Sequence, residues 1–156
     1  MRALSVVFAA ALFLPSIAFA GQLTEKVDRF NGSKQVAWES FSDPGRGYSF
    51  NVYAHYADAK DAKPYGYYAL LVPPFGASSF SDCHHNQWLV DGKPARNLNG
   101  IYESMGGSQT FRLELQRADL ESIASASSVE FKICNSEGSI SASDLAGVKK
   151  LVESTR

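Results

Sequence analysis

The chain has 156 residues, of which 45% are hydrophobic, and its 15 Lys and Arg nearly balance its 16 Asp and Glu. This balance argues against a nucleic-acid-binding protein, which needs a concentrated basic surface to displace counterions, and against polybasic contact with a membrane. The length suits one domain with a hydrophobic core.

The first twenty residues have the layout of a cleaved export signal. One Arg precedes a largely apolar run, Ala3–Leu14, with Ser5 as its one polar residue. Ala18-Phe19-Ala20 ends the segment, with small alanines at the two positions where signal peptidase accepts them. The run is too short to serve as a permanent membrane span. We therefore predict a signal peptide over residues 1–20, one globular domain over residues 21–156, and a location in the bacterial periplasm or outside the cell. No stable membrane anchor is expected after cleavage.

The next segment predicts a β-hairpin and then a break. Strand-like runs at Val27–Phe30 and Gln35–Phe41 flank Asn31-Gly32-Ser33, and Asn-Gly tolerates the positive φ angles of tight hairpin turns. Asp43–Gly47 contains one proline and two glycines, which interrupt regular structure.

Four further strands are indicated in the middle and later parts of the chain. Tyr48–Tyr56 alternates between apolar and polar residues, as a half-buried strand does. Tyr65–Val72 is apolar on both faces, which is typical of a central strand, and Pro73-Pro74 ends it. Asn86–Val90 and Thr110–Leu115 are also predicted as strands, whereas Asn99–Ser108 is interpreted as a glycine-rich loop or hairpin tip.

The pattern changes towards the C-terminus. Arg117–Ala124 has helical spacing, Ser128–Cys134 alternates as a strand, and a second helix is expected to start at Ser143-Asp144. Because turns join the strands, we predict a mostly β fold: an antiparallel β-sandwich or partly open barrel with one or two short helices, including a C-terminal helix. The fold would be α+β if the helices packed on one face.

Two cysteines, Cys83 and Cys134, lie in the predicted mature domain. In an exported protein an even pair of cysteines is most simply a disulfide. We therefore predict a disulfide between Cys83 and Cys134.

The run Asp82-Cys83-His84-His85, with His55 as a further group, is the alternative centre of chemistry. Thiolate and imidazole are ligands for zinc or copper, and a cysteine beside a histidine can act as a nucleophile. However, adjacent side chains on an extended chain point in opposite directions, and a disulfide would consume the thiol. The preferred interpretation is a loop beside a disulfide, with no catalytic residue, no metal and no cofactor.

Six of the seven tyrosines fall between Tyr48 and Tyr68. Exposed aromatic rings can stack on sugars or anchor a protein partner, but aromatic residues also favour strands for packing alone. Tyr53 shares its strand face with Asn51 and His55 and is therefore expected to be exposed.

The leading hypothesis is a small exported binding or accessory protein, such as an inhibitor, an immunity protein or an envelope-interaction module. Its contacts would come from Tyr53, Tyr67 and Trp88, and its partner would be a protein or another envelope component, not a nucleic acid. The competing hypothesis is a small exported hydrolase or metal-binding protein that uses Cys83 and the three histidines. The sequence leaves the oligomeric state open.

Overall fold

The computed structural model describes residues 21–40, 47–74, 80, 83–105 and 108–156, with backbone only for Met105 and Ser108. The predicted signal peptide, most of the break at 43–47, Asp82 and the glycine pair 106–107 lie outside the described residues.

The described elements are ten strands and two helices. In chain order they are β1 (Gly21–Val27), β2 (Lys34–Ser40), β3 (Ser49–Tyr56), β4 (Gly66–Val72), β5 (Asn86–Val90), β6 (Lys93–Pro94), β7 (Gly100–Met105), β8 (Ser108–Leu115), α1 (Arg117–Ser125), β9 (Val129–Ile133), β10 (Ser136–Ser139) and α2 (Ala142–Ser154).

The strands form two antiparallel sheets, which confirms the predicted fold class. One sheet has six strands in the order β1-β2-β3-β4-β8-β7, and the other has four in the order β10-β9-β5-β6. The described strands do not close into a barrel, and the C-terminal helix is present. The arrangement is sandwich-like, since both sheets contribute to one hydrophobic core.

The predicted first hairpin is present, but its first strand is earlier in the chain than expected. β1 ends where the prediction placed the strand's start, and residues 28–33 form the turn. Gly32 takes a φ of +77°. A carboxylate oxygen of Asp28 accepts the Phe30 backbone N–H, and the amide oxygen of Asn31 accepts the Ser33 backbone N–H, both at 2.8 Å. β1 carries polar residues on both faces, so periodicity did not reveal it.

Helix α2 packs against the inner face of the six-stranded sheet, over β1, β2 and β3. It begins two residues earlier than predicted, because the Ser141 hydroxyl accepts the Asp144 backbone N–H at 3.1 Å and caps the helix. A Cβ atom at Gly147 would overlap the indole of Trp38. The absence of a side chain there lets the helix approach the sheet closely.

The four-stranded sheet joins the same core through aromatic contacts. The ring of Phe131 on β9 meets Tyr48 edge-on at 4.7 Å between centroids and lies 5.4 Å from Trp88. Cys83, just before β5, and Cys134, just after β9, form the predicted disulfide, with their Cα atoms 6.4 Å apart. The bond therefore ties two neighbouring strands of this sheet together.

Candidate binding surface

The outer face of the six-stranded sheet carries a cross-strand pair of tyrosines. Alternation along β3 sends Phe50 and Val52 into the core and Tyr53 outward. The antiparallel register then sets Tyr53 directly beside Tyr68 of β4. Their rings stack with centroids 4.7 Å apart and planes 19° apart, which is the spacing at which aromatic pairs gain most from contact.

Two more side chains complete this group. The His55 ring, two residues along β3, stacks on Tyr68 at 5.1 Å and 16°. From the other side of β4, the Arg112 guanidinium carbon on β8 lies 4.1 Å from the centroid of the same ring, within cation–π range. We call Tyr53, His55, Tyr68 and Arg112 the outer-face cluster.

Charged and polar side chains border the cluster. Arg112 Nε lies 2.7 Å from a carboxylate oxygen of Glu114 and 3.9 Å from one of Glu103. On the opposite side Gln35 Nε2 lies 3.5 Å from His55 Nε2. These groups are partly solvent-exposed, so the ion pairs orient Arg112 and contribute little to stability.

The electrostatics of the cluster keep its aromatic groups neutral. Burial raises the pKa of Tyr53, and the charges of Tyr68 and Glu39 raise it further. Burial also raises the pKa of Tyr68, against the opposing effect of Arg112. Burial lowers the pKa of His55 below 6.5, and Arg112 adds to that shift while Glu114 opposes it. At neutral pH the cluster is a neutral aromatic surface with one cation held between carboxylates.

The geometry indicates which ligands this surface suits. Tyr68 has three close neighbours stacked on or over its ring, namely Tyr53, His55 and Arg112. Sugar platforms need the flat faces of rings, and here those faces contact one another. The cluster instead combines half-buried tyrosine rings with a guanidinium, and these residue types are enriched at protein interfaces.

The two other predicted contact residues lie elsewhere. Trp88 is 3% exposed and packs in the core, so its indole is not contact surface. Tyr67 faces the opposite side of β4 from Tyr68 and packs against the core. Its hydroxyl accepts a hydrogen bond from Arg117 Nη1 at 3.3 Å. We include neither residue in the outer-face cluster.

The alternative centre of chemistry is not assembled. Cys83 is held in the disulfide, and Nδ1 of His84 accepts the backbone N–H of Tyr102 at 3.3 Å. His55 belongs to the outer-face cluster, and His85 is exposed. In the part of the chain that the structure describes, no three His, Cys, Asp or Glu side chains are grouped to hold a metal ion.

Compared with protein-family models, curated proteins and solved structures, the chain matches none of them. Neither described helix has the length and hydropathy of a membrane span. The function therefore has to be inferred from the geometry of the surface itself.

Sequence reasoning identified Tyr53 but missed the two residues that organise the cluster. Tyr68 belongs to the tyrosine-rich segment, yet β4 is apolar on both faces, so alternation gives its side chain no direction. Arg112 alternates with Phe111 and Leu113 along its strand, but only the β4–β8 register shows that it reaches Tyr68.

Proposed function

We propose that this protein is a small exported binding module that contacts a protein partner through the outer face of its six-stranded sheet. The stacked Tyr53–Tyr68 pair, held by His55 and Arg112, is the observation that carries the proposal. Tyrosine and arginine are the residue types most enriched where a few side chains supply most of the binding energy.

Preorganisation supports this role. Each ring of the cluster is fixed by its neighbours before any partner arrives, so binding would freeze few additional torsions. The cluster is also half-buried, since its members shield one another. A partner would therefore gain contact with the exposed parts of these side chains at a small further entropic cost.

Export is part of the proposal. The disulfide between Cys83 and Cys134 is compatible with an oxidising compartment. The signal-like first twenty residues agree with that compartment. The partner would accordingly be a protein of the cell envelope or its surroundings, and the module would act as an inhibitor, an immunity protein or an accessory factor.

Affinity capture from envelope extract with matched variants tests the proposal. The unmodified chain should retain a protein that Tyr53→Ala and Arg112→Ala retain at least tenfold less, since truncating a central contact residue costs more than about 1.4 kcal/mol. Phe30→Ala is the control, because Phe30 is an aromatic residue that is 86% exposed on the 28–33 turn, outside the cluster.

The fold of each variant is checked by its thermal unfolding, so that loss of capture is not mistaken for loss of structure. Capture that is equal for Tyr53→Ala, Arg112→Ala and the unmodified chain would overturn the assignment of this surface. Loss of capture with Phe30→Ala alone would move the site to the turn and would overturn it as well.

A further inference from the structure

Among the residues that the structure describes, the six-stranded sheet has an open edge at β1. All seven residues of β1 pair with β2 on one side. Among the described residues, no strand and no backbone hydrogen bond occupies its other side. A regular strand of this length leaves a row of N–H and C=O groups ready to pair with another chain.

The opposite edge, at β7, is partly occupied by side chains. Nδ1 of His84 accepts the backbone N–H of Tyr102 at 3.3 Å, and Asn86 Nδ2 donates to the Gly100 carbonyl at 3.3 Å. Both bonds use backbone groups of β7 that an added strand would need. The two edges of this sheet are therefore not equivalent.

The side chains of β1 leave its edge accessible. Charged residues usually protect an edge strand by projecting past it. Here the Lys26 ammonium turns back across the sheet to Glu39 at 2.9 Å, and the Thr24 hydroxyl donates to the same carboxylate at 3.3 Å. Leu23 and Val27 are 41% and 53% exposed on the inner side of the strand. The exposed Glu25 lies between them on the same side, so the inner side of this edge carries two apolar side chains and one carboxylate.

We infer that β1 pairs antiparallel with β1 of a second copy of this chain, about a two-fold axis at Thr24. In that register all seven residues pair. Thr24 faces Thr24 of the second copy, Gln22 faces Lys26, and Leu23 faces Glu25. No like charges are directly opposed. Leu23 of each copy is diagonal to Leu23 of the other, and Glu25 is likewise diagonal to Glu25, where the spacing is about 7 to 8 Å.

Three neighbouring registers also keep the inner and outer faces of the two strands aligned, but each of them gives a less favourable pairing. A two-fold axis at Glu25 sets two carboxylates opposite each other, and an axis at Lys26 does the same with two ammonium groups, both of which destabilise strand pairing. Of the described strand, an axis at Leu23 pairs only residues 21–25. The register centred on Thr24 is therefore the one that pairs all seven residues of β1 without placing like charges directly opposite each other.

The pairing closes at two copies. An isologous contact uses the same strand on both partners, so each β1 edge is used once, and His84 and Asn86 already engage part of each β7 edge. The product is a continuous twelve-stranded sheet, in which the outer faces of the two six-stranded sheets lie on the same side. Five strand spacings separate the two Tyr53 side chains, which is about 24 Å. This inference stands independently of the proposed function.

Sedimentation equilibrium of the full chain, expressed from Met1 and with its purified N-terminus determined by mass spectrometry, tests the inference. The chain should show a monomer–dimer equilibrium between micromolar and millimolar concentration. Thr24→Lys should raise the dissociation constant of the dimer by about tenfold or more, because two like charges then face each other at the axis. Within one copy the new ammonium lies near Glu39, so the fold is expected to be kept.

Thr110→Lys is the matched control. Thr110 is also on the outer face of the sheet, opposite Glu103 of the β7 edge, and its substitution should leave the dimer intact. A monomer at every concentration, or a dimer that Thr24→Lys does not weaken, would overturn the inference.

Cysteine cross-linking tests the register without depending on affinity. Under mild oxidation Thr24→Cys should form a covalent dimer, because paired residues at the axis have Cβ atoms about 5 Å apart. Gln22→Cys should not, since in the inferred register Gln22 faces Lys26. Cross-linking of Gln22→Cys in preference to Thr24→Cys would contradict the pairing.

Discussion

The indole nitrogen of Trp38 donates to Oδ1 of Asp144 at 3.1 Å, which joins β2 to the first turn of α2 across most of the length of the chain. The other carboxylate oxygen accepts the backbone N–H of Phe50 at 3.4 Å. Asp144 is only 2% exposed, so one buried carboxylate connects the C-terminal helix to two strands of the large sheet. Asp144 also places an acidic residue in the first turn of α2, where the helix dipole is stabilised by negative charge.

Asp144→Ala should lower the free energy of unfolding by about 2 to 4 kcal/mol, because a buried indole N–H and a buried amide each lose an acceptor. Urea unfolding followed by tryptophan fluorescence measures the change. Asp119→Ala is the matched control: Asp119 holds the equivalent position in α1 and accepts the Gln116 backbone N–H at 3.0 Å, but in an exposed setting. A loss at Asp144 no larger than the loss at Asp119 would show that the buried contacts contribute nothing beyond helix capping.

Gly147→Ala should destabilise the protein even though alanine is the better helix former. Alanine gains about 1 kcal/mol over glycine in an open helix position. At Gly147 the new Cβ would overlap the Trp38 indole, and overpacking of a core typically costs about 1 to 3 kcal/mol. Thermal unfolding should therefore show a lower Tm.

Gly66→Ala provides the comparison for Gly147→Ala, because a Cβ at Gly66 meets no atom within 4 Å. Its unfolding temperature should change little. A Tm for Gly147→Ala equal to or above that of the unmodified chain would mean that α2 shifts freely on the sheet, contrary to the close packing described above.

The disulfide should account for a large part of the stability of the domain. Cys83 and Cys134 are 51 positions apart, and in the loop-entropy description a cross-link of that span disfavours the unfolded chain by about 4 kcal/mol. The double variant Cys83→Ser with Cys134→Ser should unfold at clearly lower urea concentration. In the unmodified protein, thiol titration under denaturing conditions should detect no thiol until a reductant is added; two thiols without reductant would refute the bond.

Much of the fold was predictable because the hydrophobic residues of several segments recur with one dominant period. β3 alternates cleanly and was placed within a residue, and β5 was placed without error. β7 was interpreted as a loop or hairpin tip because glycines bracket it, and β10 was missed because its four residues include no large apolar side chain. Such strands are defined by their pairing partners, which composition does not reveal.

The candidate surface was only partly predictable, for a related reason. The alternation of apolar and polar residues along β3 was enough to predict that Tyr53 faces outward. Trp88 could not be placed in the same way, because which face of β5 is buried depends on how the small sheet packs, and its ring lies against Phe131. The stacking on Tyr68 depends on the register between strands, which the sequence of either strand alone leaves open.

The pH dependence of stability should carry a signature of His55. Burial and the nearby Arg112 lower the pKa of His55 below its unfolded value of 6.5, with Glu114 partly opposing. The unfolded state therefore binds a proton more readily than the folded state. This contribution to the free energy of unfolding is fully present above pH 6.5 and is lost as the pH falls from 6.5 through the folded pKa.

Urea unfolding measured from neutral pH down to about pH 5, above the main titration range of carboxylates, should accordingly show stability decreasing with pH. His55→Gln should flatten that slope, because glutamine does not titrate. His85→Gln, which removes an exposed imidazole, controls for the loss of a histidine as such and should keep the slope. If His55→Gln retained the full slope of the unmodified protein, the imidazole would not be desolvated in the cluster, and the rings would be packed less tightly than their stacking distances indicate.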